Sequence, residues 1–129
     1  MAAILLDTTV LIDLLRGRPD AERRLRAVRA AGDDVYACAV NVEEIVRGLR
    51  PQDVAAAKML VAGLRTAPLD AAEGWQAGEW RREYAARGQT LPQADCLIAA
   101  AAAGVGAKVA TGNAKDFPMI DAEDWPAGV

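Results

Sequence analysis

Histidine is missing from all 129 residues of the chain. Its absence removes Ser-His-Asp triads, Cys-His dyads and imidazole-built zinc centres in one step. Acid–base chemistry is left to carboxylates, lysine, tyrosine or water on a metal. Cysteine is scarce: Cys38 and Cys96 lie within apolar segments without metal-ligand spacing, and read as small buried hydrophobes rather than a disulfide. No stretch has the length and apolarity of a membrane span. Met1 to Leu6 lacks the basic head and cleavage site of an export signal, so the expected location is the cytoplasm. Internal repeats, low-complexity tracts and linkers are lacking as well. With 53% hydrophobic residues, the chain reads as one globular domain over 1–129, large enough to bury a core without staples.

The formal charge of -3 argues mildly against a nucleic-acid partner, which usually demands a basic footprint. Arginines nevertheless cluster over 16–29 and 81–87, where the ordinary reading is a solvated helix face.

Short apolar runs alternate with helical stretches. Ala3 to Leu6 is a buried strand candidate, followed by a helix through Leu15 that Gly17 and Pro19 stop. An Arg-rich helix is predicted over 19–31, a strand over 35–40, a helix from Asn41 to Leu49 and another from Pro51 to about Arg65. A short strand at 67–69 precedes a helix over 70–87 carrying Trp75, Trp80 and Tyr84. Pro92 opens a helix to Ala103, Gly106 to Thr111 is the next strand, and a last short strand is possible near Trp125. Such alternation specifies an α/β fold, a three-layer α/β/α sandwich around a parallel sheet. Ligands in these sheets bind beyond the carboxyl ends of the strands, where strand order reverses.

Four acids fall at such ends: Asp7, Glu44, Asp95 and Asp116. Each has a purely structural alternative. Asp7 can cap a helix, Glu44 completes a capping-box spacing with Asn41, Asp95 suits the positive end of a helix, and Asp116 suits a turn. Asp95 strains that alternative. Its helix is apolar all round, and a carboxylate heading a buried apolar face costs several kcal/mol without a cationic partner. No lysine or arginine occurs between Arg87 and Lys108, so a metal ion is the economical partner. Hard oxygen ligands without imidazole or thiolate select Mg²⁺ or Mn²⁺, which activate water for phosphoryl displacement. Periodicity does not separate Glu43 from Glu44, although Gly48 one turn below Glu44 leaves that side open. Asp13 and Glu43 are expected to be dispensable neighbours.

Four segments together resemble the motifs of PIN-domain nucleases. They are Leu6-Asp7-Thr8-Thr9-Val10-Leu11-Ile12-Asp13, Glu44-Ile45-Val46-Arg47-Gly48, Ala94-Asp95-Cys96-Leu97-Ile98-Ala99-Ala100 and Thr111-Gly112-Asn113-Ala114-Lys115-Asp116-Phe117. Their order and spacing cover essentially the whole chain, and the likeness is strongest to VapC-type toxins of bacterial toxin–antitoxin pairs. The resemblance implies a PIN-like sandwich and Mg²⁺- or Mn²⁺-dependent endoribonuclease activity, usually on structured RNA such as transfer RNA. It also implies dimerisation and inhibition by a small VapB-type antitoxin. Asp7, Asp95 and Asp116 would serve as metal ligands, with Glu44 completing the catalytic acids and Thr9, Thr111 and Asn113 as supporting polar groups. Two positions depart from the family pattern. Thr9 stands where serine or asparagine is frequent, and Gly112 where arginine is frequent, which removes a candidate phosphate contact.

Two other readings compete. A phosphatase of the haloacid dehalogenase type wants a second aspartate where this chain has Thr9. A non-catalytic RNA- or protein-binding module on the same fold would show losses among the four acids, all of which are present. Trp75, Trp80, Tyr84 and the apolar side of the 51–65 helix are candidate partner anchors, with core packing as the alternative.

Overall fold

A computed structural model describes residues 2–129. Five parallel strands pair in the order β3-β2-β1-β4-β5. They are β1 Ala3–Leu6, β2 Asp34–Ala37, β3 Arg65–Thr66, β4 Lys108–Thr111 and β5 Ala122–Asp124. The helices are α1 Thr8–Leu15, α2 Pro19–Ala30, α3 Ala39–Arg47, α4 Val54–Ala62, α5 Ala71–Ala86 and α6 Gln93–Gly104.

Strand β1 is apolar at every position because it lies mid-sheet with helices over both faces. Its side chains alternate between the two layers. Ile4 and Leu6 pack with Val10, Leu11, Leu25 and Ile45 on the α1–α3 side. Leu5 packs with Val109, Ile98, Ala99 and Ala102 on the α6 side. Ile98 and Ala99 to Ala102 are all buried, and α5 lies along α6 through Ala77, Trp80 and Tyr84. The three-layer α/β/α sandwich expected from the sequence is the observed architecture.

From β1 the chain moves outward through β2 and β3, then returns to add β4 on the opposite side of β1. This reversal opens a crevice beyond the carboxyl ends of β1 and β4. Asp7 N–H donates to Ala110 O at 2.8 Å, carrying the pairing one residue past β1 and fixing where its side chain emerges.

Several boundaries differ from the sequence expectation. Strand β2 ends at Ala37 rather than Val40, because Cys38 caps α3. The Cys38 N–H donates to Asn41 Oδ1 at 2.9 Å and its Sγ donates to the same oxygen at 3.2 Å. Helix α3 therefore starts two residues before Asn41. The 51–65 helix is divided into a 3-10 turn at Pro51–Asp53 and α4, which Gly63 caps. Strand β3 falls at Arg65–Thr66 instead of 67–69, set by its register with Tyr36 and Ala37. Of the aromatic trio, Trp80 and Tyr84 pack into the interior, while Trp75 is 75% exposed. Among the described residues no helix is long and apolar enough to cross a membrane.

Candidate active site

The crevice is built from the start of α1, the second turn of α3, the first turn of α6 and the loop after β4. Asp7 is the N-cap residue of α1 by backbone position, yet its carboxylate makes no capping hydrogen bond. Instead Thr111 Oγ1 donates to Asp7 Oδ2 at 2.8 Å, and Thr9 Oγ1 donates to the same oxygen at 3.3 Å. Both side-chain donors fall on Oδ2, leaving Oδ1 without one. Asp7 is 6% exposed. Burial, with the Glu44 charge adding to it, raises its carboxyl above the ordinary carboxylate range against those hydrogen bonds.

Glu44 lies one turn into α3, half-buried, and its Oε1 accepts a 2.7 Å hydrogen bond from Thr8 Oγ1. Thr8 Oγ1 in turn accepts from Asn41 Nδ2 at 3.2 Å. The capping-box alternative for Glu44 is overturned, because Asn41 completes a box with Cys38 and not with Glu44. The two neighbouring acids of this motif differ in placement. Glu43 is solvent-exposed and faces Arg47 at 3.7 Å, whereas Glu44 enters the crevice.

Asp95 sits in the first turn of α6, half-buried. Its carboxyl is pushed up to about 6, chiefly by burial and then by the charges of Asp7, Asp116 and Glu44. All three other acids therefore bear on it electrostatically. Asp116 ends a 3-10 turn at Ala114–Asp116 and is exposed at the rim. None of the four acids joins any of the five ion pairs among the described residues. They are not drawn into a closed cage either: among the described residues no three such side chains stand close enough to hold one ion.

The supporting residues divide. Thr111 is fully buried and Thr9 bridges two loops, since Gly112 N–H donates to Thr9 Oγ1 at 3.0 Å. Asn113 differs from expectation. Its side chain is exposed, and its contribution is the backbone N–H that donates to Thr111 Oγ1 at 3.1 Å. Sequence reasoning missed Thr8 and the fully buried Asn41, which together orient Glu44. A signal was available, because a polar Asn41 lies inside the apolar run Val40 to Val46 and requires partners there.

The donor set fits a hard divalent cation. It is all oxygen, it holds one buried carboxylate with an oxygen free of side-chain donors, and none of the four acids is ion-paired among the described residues.

Comparison with known proteins bears on this arrangement. The PIN domain family model matches residues 4–122. Ribonuclease VapC19 of Mycobacterium tuberculosis is 30% identical over 116 residues, 90% of this chain and 93% of the relative. Ribonuclease VapC10 of the same organism is 31% identical over 118 residues, 92% of this chain and 88% of the relative. Among solved structures, the DNA-bound VapBC complex of Salmonella typhimurium matches with a TM-score of 0.84 and 25% identity, over 97% of this chain and 99% of that one.

Proposed function

The chain belongs to the PIN-domain family, and from that premise we propose that it is a metal-dependent endoribonuclease, the toxin of a toxin–antitoxin pair. Its substrate is the RNA phosphodiester, in structured RNA such as transfer RNA, and its site is the crevice of Asp7, Glu44, Asp95 and Asp116. The observation that carries this reading is the convergence of four acids from four segments, none of them in an ion pair among the described residues, with Asp95 held at about 6. An acidic cluster that only capped helices would not need to be shared. Relatives named as ribonucleases support the activity, and a VapBC complex among the structural neighbours supports a protein partner.

Asp7 and Asp95 would hold Mg²⁺ or Mn²⁺, with Asp116 and Glu44 completing the shell directly or through water. When bound, such an ion supplies a deprotonated water nucleophile and offsets the charge developing on the phosphoryl oxygens. The chain's own residues prepare the site. Thr111 and Thr9 tether Asp7 Oδ2 and so turn Oδ1 toward the crevice. The Asn41–Thr8 relay holds Glu44 by Oε1 and leaves its second oxygen free of side-chain donors to position water.

The partner surface follows from the same layout. An apolar groove of about 650 Å³ runs between α3 and α4, lined by Val42, Val46, Leu49, Val54 and Val61. Ile45 and Leu49 also line the neighbouring cavity that reaches Glu44, with Arg16 and Arg50 on its walls, so the groove runs up to one of the four acids. An apolar antitoxin segment suits the groove, and a basic residue beyond it would reach Glu44. Exposed Trp75 on α5 offers an aromatic anchor for a second copy of the chain.

The decisive experiment is cleavage of a structured RNA pool by purified protein with millimolar Mn²⁺, with chelator, and with the Asp95→Asn variant. Cleavage is expected only in the first, since the variant keeps shape but loses the charge that holds the ion. Full activity in folded Asp95→Asn would refute the site assignment.

A further inference from the structure

Asp13, expected from the sequence to be dispensable, is a buried acid that takes no part in the cleavage chemistry itself, and its burial gives it a different role. It lies on α1 at 6% exposure, belongs to none of the five ion pairs among the described residues, and spends Oδ2 on one donor, the Gly128 N–H at 3.0 Å. A carboxylate buried for a single backbone contact is costly to keep unless that contact matters. The segment it holds is otherwise well docked. Trp125 is 3% exposed in the core and its backbone N–H donates to Thr111 O at 2.8 Å, while Arg24 Nη1 donates to Asp124 O at 2.8 Å.

This segment rests on the crevice loop. A Cβ added at Gly112 would stand 2.9 Å from Ala127 Cβ and 3.5 Å from Thr9 Oγ1. Gly112 is thus pressed between the segment and Thr9, to which it donates its N–H. The space explains why a long side chain is missing at this position: Ala127 fills it. The contacts form one chain, Asp13 to Gly128, Ala127 to Gly112, Gly112 to Thr9, Thr9 to Asp7 Oδ2.

We propose that Asp13 is a positioning residue for RNA cleavage, clamping residues 125–129 over Gly112 so that Thr9 and the Asp7 carboxylate keep their orientation. The proposal rests on the nuclease reading of the crevice. Asp13 touches neither substrate nor ion; it acts through the segment it anchors.

The test uses full-length protein, Mn²⁺ and an RNA oligonucleotide, reading kcat, KM, melting temperature and the amide resonances of Thr9 and Gly112. Asp13→Ala should lower kcat by roughly tenfold to a hundredfold with KM changed less than about twofold, the size of effect that a small misplacement produces. It should also shift both amide resonances. Asp13→Asn, which keeps an acceptor oxygen, should recover most of the rate. Gly112→Ala should lower kcat similarly, and the added Ala127→Gly should restore it by removing the colliding methyl. Should Asp13→Ala fail to fold, the Gly112→Ala and Gly112→Ala/Ala127→Gly pair still decides. Wild-type rates in Asp13→Ala and Gly112→Ala, or a double variant as impaired as the single, would overturn the linkage. So would unchanged Thr9 and Gly112 resonances in Asp13→Ala. Failure of the wild type to cleave any RNA would instead overturn the nuclease reading, because the resonances report the linkage without cleavage.

Discussion

Replacing Asp95 by asparagine should raise the melting temperature of the metal-free protein while abolishing most of its response to metal. Asp95 has a folded-state carboxyl at about 6 against 3.8 for the unconstrained group. Roughly two units at 1.36 kcal/mol each correspond to about 3 kcal/mol. The side chain is only half-buried, so water screening reduces this to about 1–2 kcal/mol. Asparagine also forfeits a favourable charge at the α6 N-terminus, worth about 0.3–1 kcal/mol, leaving a net gain of about 1 kcal/mol. For a domain of this size that is roughly 3–5 °C.

The sign with pH follows from the raised value. A carboxyl whose folded pKa lies above its unfolded one favours folding below the unfolded value, and that contribution is lost as pH climbs through the folded one. For Asp95 the window runs from 3.8 to about 6. The advantage of Asp95→Asn should therefore be full at pH 7.5 and shrink on acidification toward pH 4. Metal reverses the order. A cation that binds only the folded state adds about 2.7 kcal/mol at one hundred times its dissociation constant, so Mn²⁺ should lift the wild type past the variant. The assay is four thermal melts, each protein with chelator and with millimolar Mn²⁺. Equal metal responses in the two proteins would refute the reasoning and return Asp95 to an ordinary helix-terminal acid.

Other outcomes follow from the same geometry. Glu44→Ala should lose cleavage while Glu43→Ala, which removes only the exposed partner of Arg47, keeps it; the reverse result in an RNA cleavage assay would shift the motif register. Thr111→Val deletes the buried 2.8 Å donor to Asp7 at nearly constant volume, and should cost about 1.5–3 kcal/mol in denaturant unfolding together with most activity. Asn41→Leu strands the Cys38 N–H and frees Thr8, and should destabilise by about 1–3 kcal/mol and weaken cleavage, both read on one purified variant.

How far the molecule was legible depended on which forces were local. The strand at Ala3–Leu6 and the buried helix carrying Asp95 announce themselves because continuous apolarity has few other uses in a chain of this size. The four acids could be placed at strand and helix ends by the same periodicity. What could not be read was the polar scaffolding. Asn41 looked like a helix start because its side chain bonds backbone in either role, and only the tertiary approach of α1 to α3 shows that it also serves Thr8. Asn113 looked like an orienting side chain, yet its backbone amide makes the contact to Thr111. The role of residues 125–129 was invisible because Trp125 and Ala127 act through packing on residues more than ten positions away.

The arrangement also explains how an acidic chain can act on RNA. Four carboxylates in one crevice repel the phosphate backbone and one another, so neither substrate nor stability is served until a cation enters. On the proposed reading, a bound ion would invert the local field and supply the attraction that the net charge of -3 withholds. Affinity for RNA should accordingly depend on metal more than on basic surface. The same field has a second consequence. A lysine or arginine carried toward Glu44 by a partner docked in the α3–α4 groove would pair with those carboxylates, and the pairing offsets part of the cost of taking both charges out of water. Metal and a basic inhibitor would then compete for one site, and inhibition should weaken as Mn²⁺ is raised. Inhibition that is indifferent to Mn²⁺ over its titration range would mean that the partner blocks RNA without entering the crevice.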